Sequence, residues 1–231
     1  MFAKSIPKTL NFLILNNSKL FKITLNKNNF KQKKMGVLRL QLPTDPRWVN
    51  IVEKNIEEIL TDHAWCEQKA ATNAITIITN NSEHQDLVKD LLALAKEEID
   101  HFEQVHNIII KRGLKLGRER KDDYVNELYL YMKKSSTGSR VSSLVERLLF
   151  SAMVEARSCE RFKVLSENIQ DEELAVFYRE LMESEAGHYT TFITYARKYG
   201  TGIDVESRWR EWIDFEASII ENYGKSDSIH G

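Results

Sequence analysis

The sequence predicts an all-α protein, a four-helix bundle with a short connecting helix and a C-terminal helix. Three observations carry this. The 231 residues include only three prolines and nine glycines, few for a many-turned β protein, and 42% are hydrophobic. Apolar residues recur at helical spacing through four long segments joined by short turns and one long connection. Nothing in the chain alternates like a strand.

The elements follow in order. In "TDPRW", Thr44 or Asp45 can cap a helix and Pro46 suits its first turn, where a missing N–H costs nothing. A first helix then runs from about 46 to 79, with Trp48, Ile56, Leu60, Ala64, Ala71 and Ile78 along one stripe. "NNSEHQ" ends it, and Ser82 with Gln85 forms a capping box for a second helix that stops at Gly113. "LKLGRERKDD" leads to a short helix near 122–133, and "KKSSTGS" breaks the chain again. A third long helix covers about 140–167. Asp171 caps a fourth that ends at Gly200, and a last amphipathic helix follows Asp204.

The net charge of −1 hides an asymmetry. Residues 1–34 hold eight lysines and no acid, which leaves 25 basic against 34 acidic side chains, or −9, in the rest. This leader is rich in Lys and Asn and lacks the Arg of a mitochondrial transit peptide, and "LNFLIL" is brief for a secretory signal. Residues 1–34 therefore read as a basic extension, disordered or an over-called start with Met35 as the natural first residue. Residues 35–231 read as the folded domain. No apolar run reaches the 18 or more residues of a membrane span. Cys66 and Cys159 stand alone without CxxC spacing, which argues against a disulfide scaffold or zinc ribbon and for a reducing, cytoplasmic setting.

The chemistry lies in Glu-x-x-His. With 23 Glu and 6 His, chance gives fewer than one match, yet three occur: Glu98/His101, Glu103/His106 and Glu185/His188. Glu98 shares a face with Leu87, Leu91, Leu94, Val105 and Ile108. Glu185 shares one with Leu174, Tyr178, Leu181, Phe192 and Tyr195. Glu103 lies about 140° round the helix from Glu98 on a polar face, so that match is solvated. Buried carboxylates cost several kcal/mol each unless compensated, and no Arg or Lys stands beside either pair. A metal is the natural partner. Ferritin-like di-metal bundles combine one Glu from each of two helices with Glu-x-x-His from each of the other two. The first helix offers Glu67. The third offers Glu146, Glu155 and Glu160. Glu155 carries Leu148, Ala152, Cys159, Phe162 and Leu165 at helical offsets, whereas Glu160, the rival, has Arg157, Lys163 and Glu167 on what reads as a wet face. Four carboxylates would offset two divalent ions, and carboxylate with imidazole suits iron or manganese. His63 either orients Glu67 or makes a plain polar contact. Gly187, inside the second motif, either opens space beside the metals or permits close helix packing.

"PTDPRW", "DHAWCEQKAA", "EEIDHFEQV", "RLLFSAMVEARSCERF" and "ESEAGHYTTF" together resemble the tRNA 2-methylthio-N6-isopentenyladenosine hydroxylase (MiaE) family, from about Pro43 to Tyr199. The resemblance implies a ferritin-like, non-haem di-iron monooxygenase acting on the isopentenyl side chain of a modified adenosine next to the tRNA anticodon. It implies two iron ions (Fe2+/Fe3+), O2 as co-substrate, and Glu67, Glu98, His101, Glu155, Glu185 and His188 as iron ligands.

An external electron donor is required, because no flavin or nicotinamide motif and no redox CxxC is present. A domain of −9 must bind RNA through local basic charge. "KRGLKLGRERK" offers Lys111, Arg112, Lys115, Arg118, Arg120 and Lys121 for anticodon-loop phosphates, with a solvated loop as the alternative. Lys133, Lys134 and Arg140 flank the next turn. Tyr124, Tyr129 and Tyr131 are available for stacking on unpaired bases. A ferritin-like or rubrerythrin-like iron-binding oxidase or peroxidase is the rival function. No pattern specifies an oligomeric state.

Overall fold

The computed structural model describes residues 12–16, 19–23, 37–136, 138–221 and 229. Chain contacts divide the protein into two units, Met1–Lys34 and Met35–Gly231. In the first, β1 (Phe12–Asn16) pairs antiparallel with β2 (Lys19–Ile23), Leu15 opposite Leu20. This departs from the expectation of no strand. Both segments are rich in β-branched and aromatic residues, which favour extended pairing, although neither alternates cleanly. The expected disorder elsewhere in 1–34 lies outside the described residues.

The second unit is all-α among its described residues: α1 (Val49–Lys54), α2 (Ile56–Asn80), α3 (Gln85–Lys111), α4 (Asp123–Ser135), α5 (Arg140–Asn168), α6 (Glu172–Tyr199) and α7 (Val205–Ile220). The pairs α2/α3 and α5/α6 pack into a ferritin-like four-helix bundle, and α4 lies within the long connection between them. Capping sets most boundaries. Asp122, Ser139, Asp171 and Asp204 each accept a bond from a first-turn N–H, Asp171 from Leu174 N at 3.1 Å. Gly113, at φ +69°, turns the chain out of α3.

Two expected boundaries differ. The first helix is broken at Asn55 (φ −135°, ψ 42°), whose Nδ2 donates to Ile51 O at 2.8 Å and whose N–H donates to Val52 O. The amide side chain competes with the helical ladder. The Ser82 capping box does not form either. His84 occupies the cap, its ring stacked on Tyr199 at 4.0 Å, and Gln85 Nε2 donates to Ser82 O. A tertiary ring contact displaces the local cap.

α5 is buried on nearly every side. One flank faces the other bundle helices, and α7 with segment 40–48 covers the other. Glu146 accepts from Arg208 (2.7 and 3.0 Å) and Trp212 Nε1 (3.2 Å). Arg157 bridges Glu216 (2.9 Å to Nε) and Glu160 (2.9 Å). No helix among the described residues is long and apolar enough to cross a membrane.

Candidate metal centre

Helices α2, α3, α5 and α6 turn Glu67, Glu98 with His101, Glu155, and Glu185 with His188 into the bundle, where all six are buried. The apolar neighbours of each helix force this. Leu91, Leu94 and Val105 hold the α3 face inward, Leu174, Tyr178 and Phe192 the α6 face, and the carboxylates between them follow. The side chains form two overlapping groups, each with its donor atoms within 4.8 Å of one another: Glu67, Glu98, His101 and Glu185, and Glu98, Glu155, Glu185 and His188. Glu98 and Glu185 belong to both.

His101 Nδ1 lies 3.4 Å from Glu98 and 3.8 Å from Glu67, and His188 Nδ1 lies 2.9 Å from Glu98. Yet both Glu98 oxygens, Glu185 Oε1 and both imidazole Nδ1 atoms make no hydrogen bond. Buried polar atoms left this way cost about 1–3 kcal/mol each, and their lone pairs converge on common points. A metal ion fits this donor set: carboxylate oxygens and neutral imidazole nitrogens are what first-row divalent ions take. Protonation shows the same demand for positive charge. Burial pushes Glu98 up to about 7 and raises Glu155 and Glu185, the last two also crowded by like charge. His101 loses basicity to burial, but Glu67 and Glu98 outweigh that and raise it to about 10.

Two supporting contacts complete the centre. His188 Nε2 lies 3.2 Å from Glu97 Oε2 on the neighbouring helix, and Ser184 Oγ donates to the same carboxylate at 3.3 Å. Donation from Nε2–H to Glu97 leaves Nδ1 with its lone pair toward the cluster. On the other side His63 Nε2 lies 2.6 Å from Glu67 Oε1, its ring packed against Phe162 and Tyr178. His63 therefore orients Glu67. Glu97 was not legible in the sequence, because its partner lies 91 residues away. Its one signal is adjacency to Glu98.

The other candidates separate. Glu103 is exposed. Glu160 is not on a wet face but buried, accepting from Thr44 N (2.8 Å), Thr44 Oγ1 (2.6 Å) and Arg157. The cover from segment 40–48, distant in sequence, explains the correction. Gly187 serves neither expected purpose: it is exposed, and a Cβ built there meets nothing within 4 Å.

With this geometry in place, comparison with known proteins is direct. The profile of the family described as tRNA-(MS2IO6A)-hydroxylase (MiaE) matches residues 32–231. The chain belongs to the MiaE family. A relative named tRNA 2-(methylsulfanyl)-N(6)-isopentenyladenosine(37) hydroxylase, from Pseudomonas putida, is 36% identical over 166 residues, covering 72% of this chain and 78% of the relative. A Salmonella typhimurium protein of the same name is 26% identical over 252 aligned positions, covering 87% and 91%. Among solved structures, Protein 43 with aldehyde deformylating oxygenase activity from Synechococcus has a TM-score of 0.74 at 27% identity, covering 83% of this chain and 95% of that one.

In this MiaE chain the connecting-loop cations are mostly held by acids. Lys111 pairs with Glu173, and Arg112 pairs with Asp171 (2.6 Å) and Glu173 (3.1 Å) at the start of α6. Arg120 meets Glu58 at 3.3 Å and Lys121 meets Asp123. Lys115 N–H donates to Glu57, and Arg118 is exposed. Of the tyrosines, Tyr124 is buried against Glu216 and Tyr131 is stacked on Phe215, so packing uses both. Tyr129 lines a cavity.

Proposed function

We propose that the chain holds two iron ions at this centre and, with O2 as co-substrate, hydroxylates the isopentenyl side chain of 2-methylthio-N6-isopentenyladenosine next to the tRNA anticodon. The observation that carries the reading is the pair of overlapping donor groups sharing Glu98 and Glu185, in a chain of the MiaE family. Glu67 and His101 would hold one ion, Glu155 and His188 the other, with Glu98 and Glu185 common to both. The iron would supply O2 activation. Overall, one oxygen atom enters a C–H bond and the other leaves as water, with two electrons and two protons from an external donor. A tRNA substrate supports a cytoplasmic setting.

The protein's own groups have definite tasks in this scheme. Four carboxylates offset the charge of two divalent ions. Glu97 and His63 fix the orientation of His188 and Glu67, and the aromatic packing of Phe162 and Tyr178 behind His63 keeps water from that side. Surface ion pairs such as Arg120–Glu58 are each worth little, about 0–1 kcal/mol, so phosphates can take over loop cations.

The test is anaerobic Fe(II) loading of the full chain, followed by O2, an electron donor and isopentenylated tRNA, with nucleosides read by mass spectrometry. A product heavier by one oxygen, lost with iron binding in Glu98→Ala and Glu155→Ala but retained in Glu103→Ala, supports the reading. Iron oxidation without a tRNA product would favour the ferritin-like oxidase or peroxidase. Charge reversal at Lys115, Arg118 and Arg120 should weaken tRNA binding at low salt.

A further inference from the structure

A cavity of about 470 Å³ opens between α2, α4 and the middle of α5. This lies within the roughly 300–1,000 Å³ of small-molecule pockets. The exposed Thr72, Lys121 and Asn126 line its mouth, and the buried Glu155, one of the six residues of the metal centre, lines its inner end.

The wall combines two kinds of surface. Ala70, Val125, Phe150 and Val154 give it branched and aromatic hydrocarbon surface without hydrogen-bonding groups. Beside them the Arg147 guanidinium lies over two rings, 5.9 Å from the centre of Tyr129 and 5.6 Å from that of Phe150, and the two rings meet edge to face at 6.2 Å. Aromatic and guanidinium planes are the surfaces on which unpaired bases stack. Two wall residues also keep unused hydrogen-bonding capacity. Arg147 Nε, a donor, and Asn73 Oδ1, an acceptor, are buried without a partner. At the mouth, Lys69 and Arg120 are steadied by the acids Glu119 (3.0 Å) and Glu58 (3.3 Å).

A hydrocarbon lining that reaches a carboxylate of the candidate metal centre, a stacking wall with a spare donor and acceptor, and a mouth where Lys69 and Arg120 stand paired with acids match one kind of ligand. We propose that this cavity receives an everted purine nucleotide of single-stranded RNA. Its branched hydrocarbon substituent passes Val125 and Val154 toward Glu155, its ring lies against Tyr129 and Arg147, and its flanking phosphates meet Lys69 and Arg120. The proposal rests on the hydroxylase reading and assigns its substrate site. Discrimination for the hydrocarbon tail then belongs to Val125 and Val154, and general RNA affinity to the mouth.

The experiment uses the iron-loaded full chain and two anticodon stem-loop RNAs, alike except that one carries an isopentenyl group on the adenine. The wild type should bind the isopentenylated RNA about tenfold more tightly. Val125→Trp, and independently Val154→Trp, fill the cavity from α4 and from α5. Each should reduce that preference to about one and abolish hydroxylation, while iron content and helical signal stay as in the wild type. Lys69→Glu should weaken both RNAs by the same factor. Preference and hydroxylation that persist in both folded, iron-loaded tryptophan variants would overturn the assignment. Failure of the hydroxylase reading would look different: the wild type would leave the RNA unmodified. In that case a preference abolished by Val125→Trp would still support the cavity as the purine site, and a wild type without preference would overturn it.

Discussion

At the scale of single residues, the candidate metal centre is buttressed by groups that do not face the shared donor points. Glu97 is half exposed, yet its carboxylate meets His188 Nε2 at 3.2 Å and so sets which nitrogen faces the cluster. Partners of this kind are worth about 10–100-fold in metal affinity. Glu97→Ala should weaken Fe(II) binding by that factor in competition with a chromophoric chelator, and Glu97→Gln, which still accepts a hydrogen bond, should recover most of the loss. Equal affinity in Glu97→Ala would show the contact to be incidental. Glu160 marks the contrast. Its carboxylate receives Thr44 and Arg157 on the far side of α5, so Glu160→Gln should lower Tm while leaving two irons per folded chain. The Glu-x-x-His pairs were legible because helical spacing assigns a face. Glu97 and the true setting of Glu160 were not, because their partners lie 91 and 116 residues away.

At the scale of elements, α6 carries two devices that act oppositely. Gly187 stands in its exposed face with open space around it. A mid-helix glycine is less stable than alanine by about 0.5–1 kcal/mol, so Gly187→Ala should raise Tm by a few degrees without changing iron content. A fall in Tm would reveal a packing role. At the start of the helix, Asp171 caps Leu174 N and pairs with Arg112 from the end of α3. The Arg112 guanidinium holds the Asp171 carboxyl below its usual range. Because the folded value lies below the unfolded one, about 3.9, the stabilisation is present above that pH and is lost as pH falls through the lower, folded value. Asp171→Ala should therefore lower Tm at pH 7, and the gap from wild type should close as the pH falls well below 4. A gap independent of pH would assign the effect to packing rather than charge. Caps such as Asp171 and Asp204 could be read in advance, since the capping residue bonds within its own first turn. The break at Asn55 and the loss of the Ser82 cap could not: the local choice at Asn55 was between two feasible bonding patterns, and at His84 a ring from α6 decided it.

At the scale of the whole molecule, four helices converge on buried carboxylates that repel one another without a cation. Metal binding and folding are therefore linked. With free Fe(II) at about a thousand times its Kd, the native state should gain about 4 kcal/mol, seen as a rise in Tm that a chelator reverses. The rise should be absent in Glu98→Ala. An unchanged Tm on loading would mean that the ion binds elsewhere or binds the unfolded chain equally.

Composition, helical spacing and capping residues were enough to define an all-α bundle, its long connection and the inward faces of Glu98 with His101 and Glu185 with His188, because each of those signals is carried within a few turns of one helix; α5 is buried on nearly every side, so spacing alone did not separate Glu155 from Glu160. Residues that act across helices required the tertiary structure. The pairing of Glu97 with His188, the burial of Glu160 under segment 40–48, the capture of loop cations by acids of α2 and α6, and the cavity behind Glu155 all join positions that only packing brings together. Spacing along a helix specifies which way a side chain points. What it meets there depends on which other helix arrives.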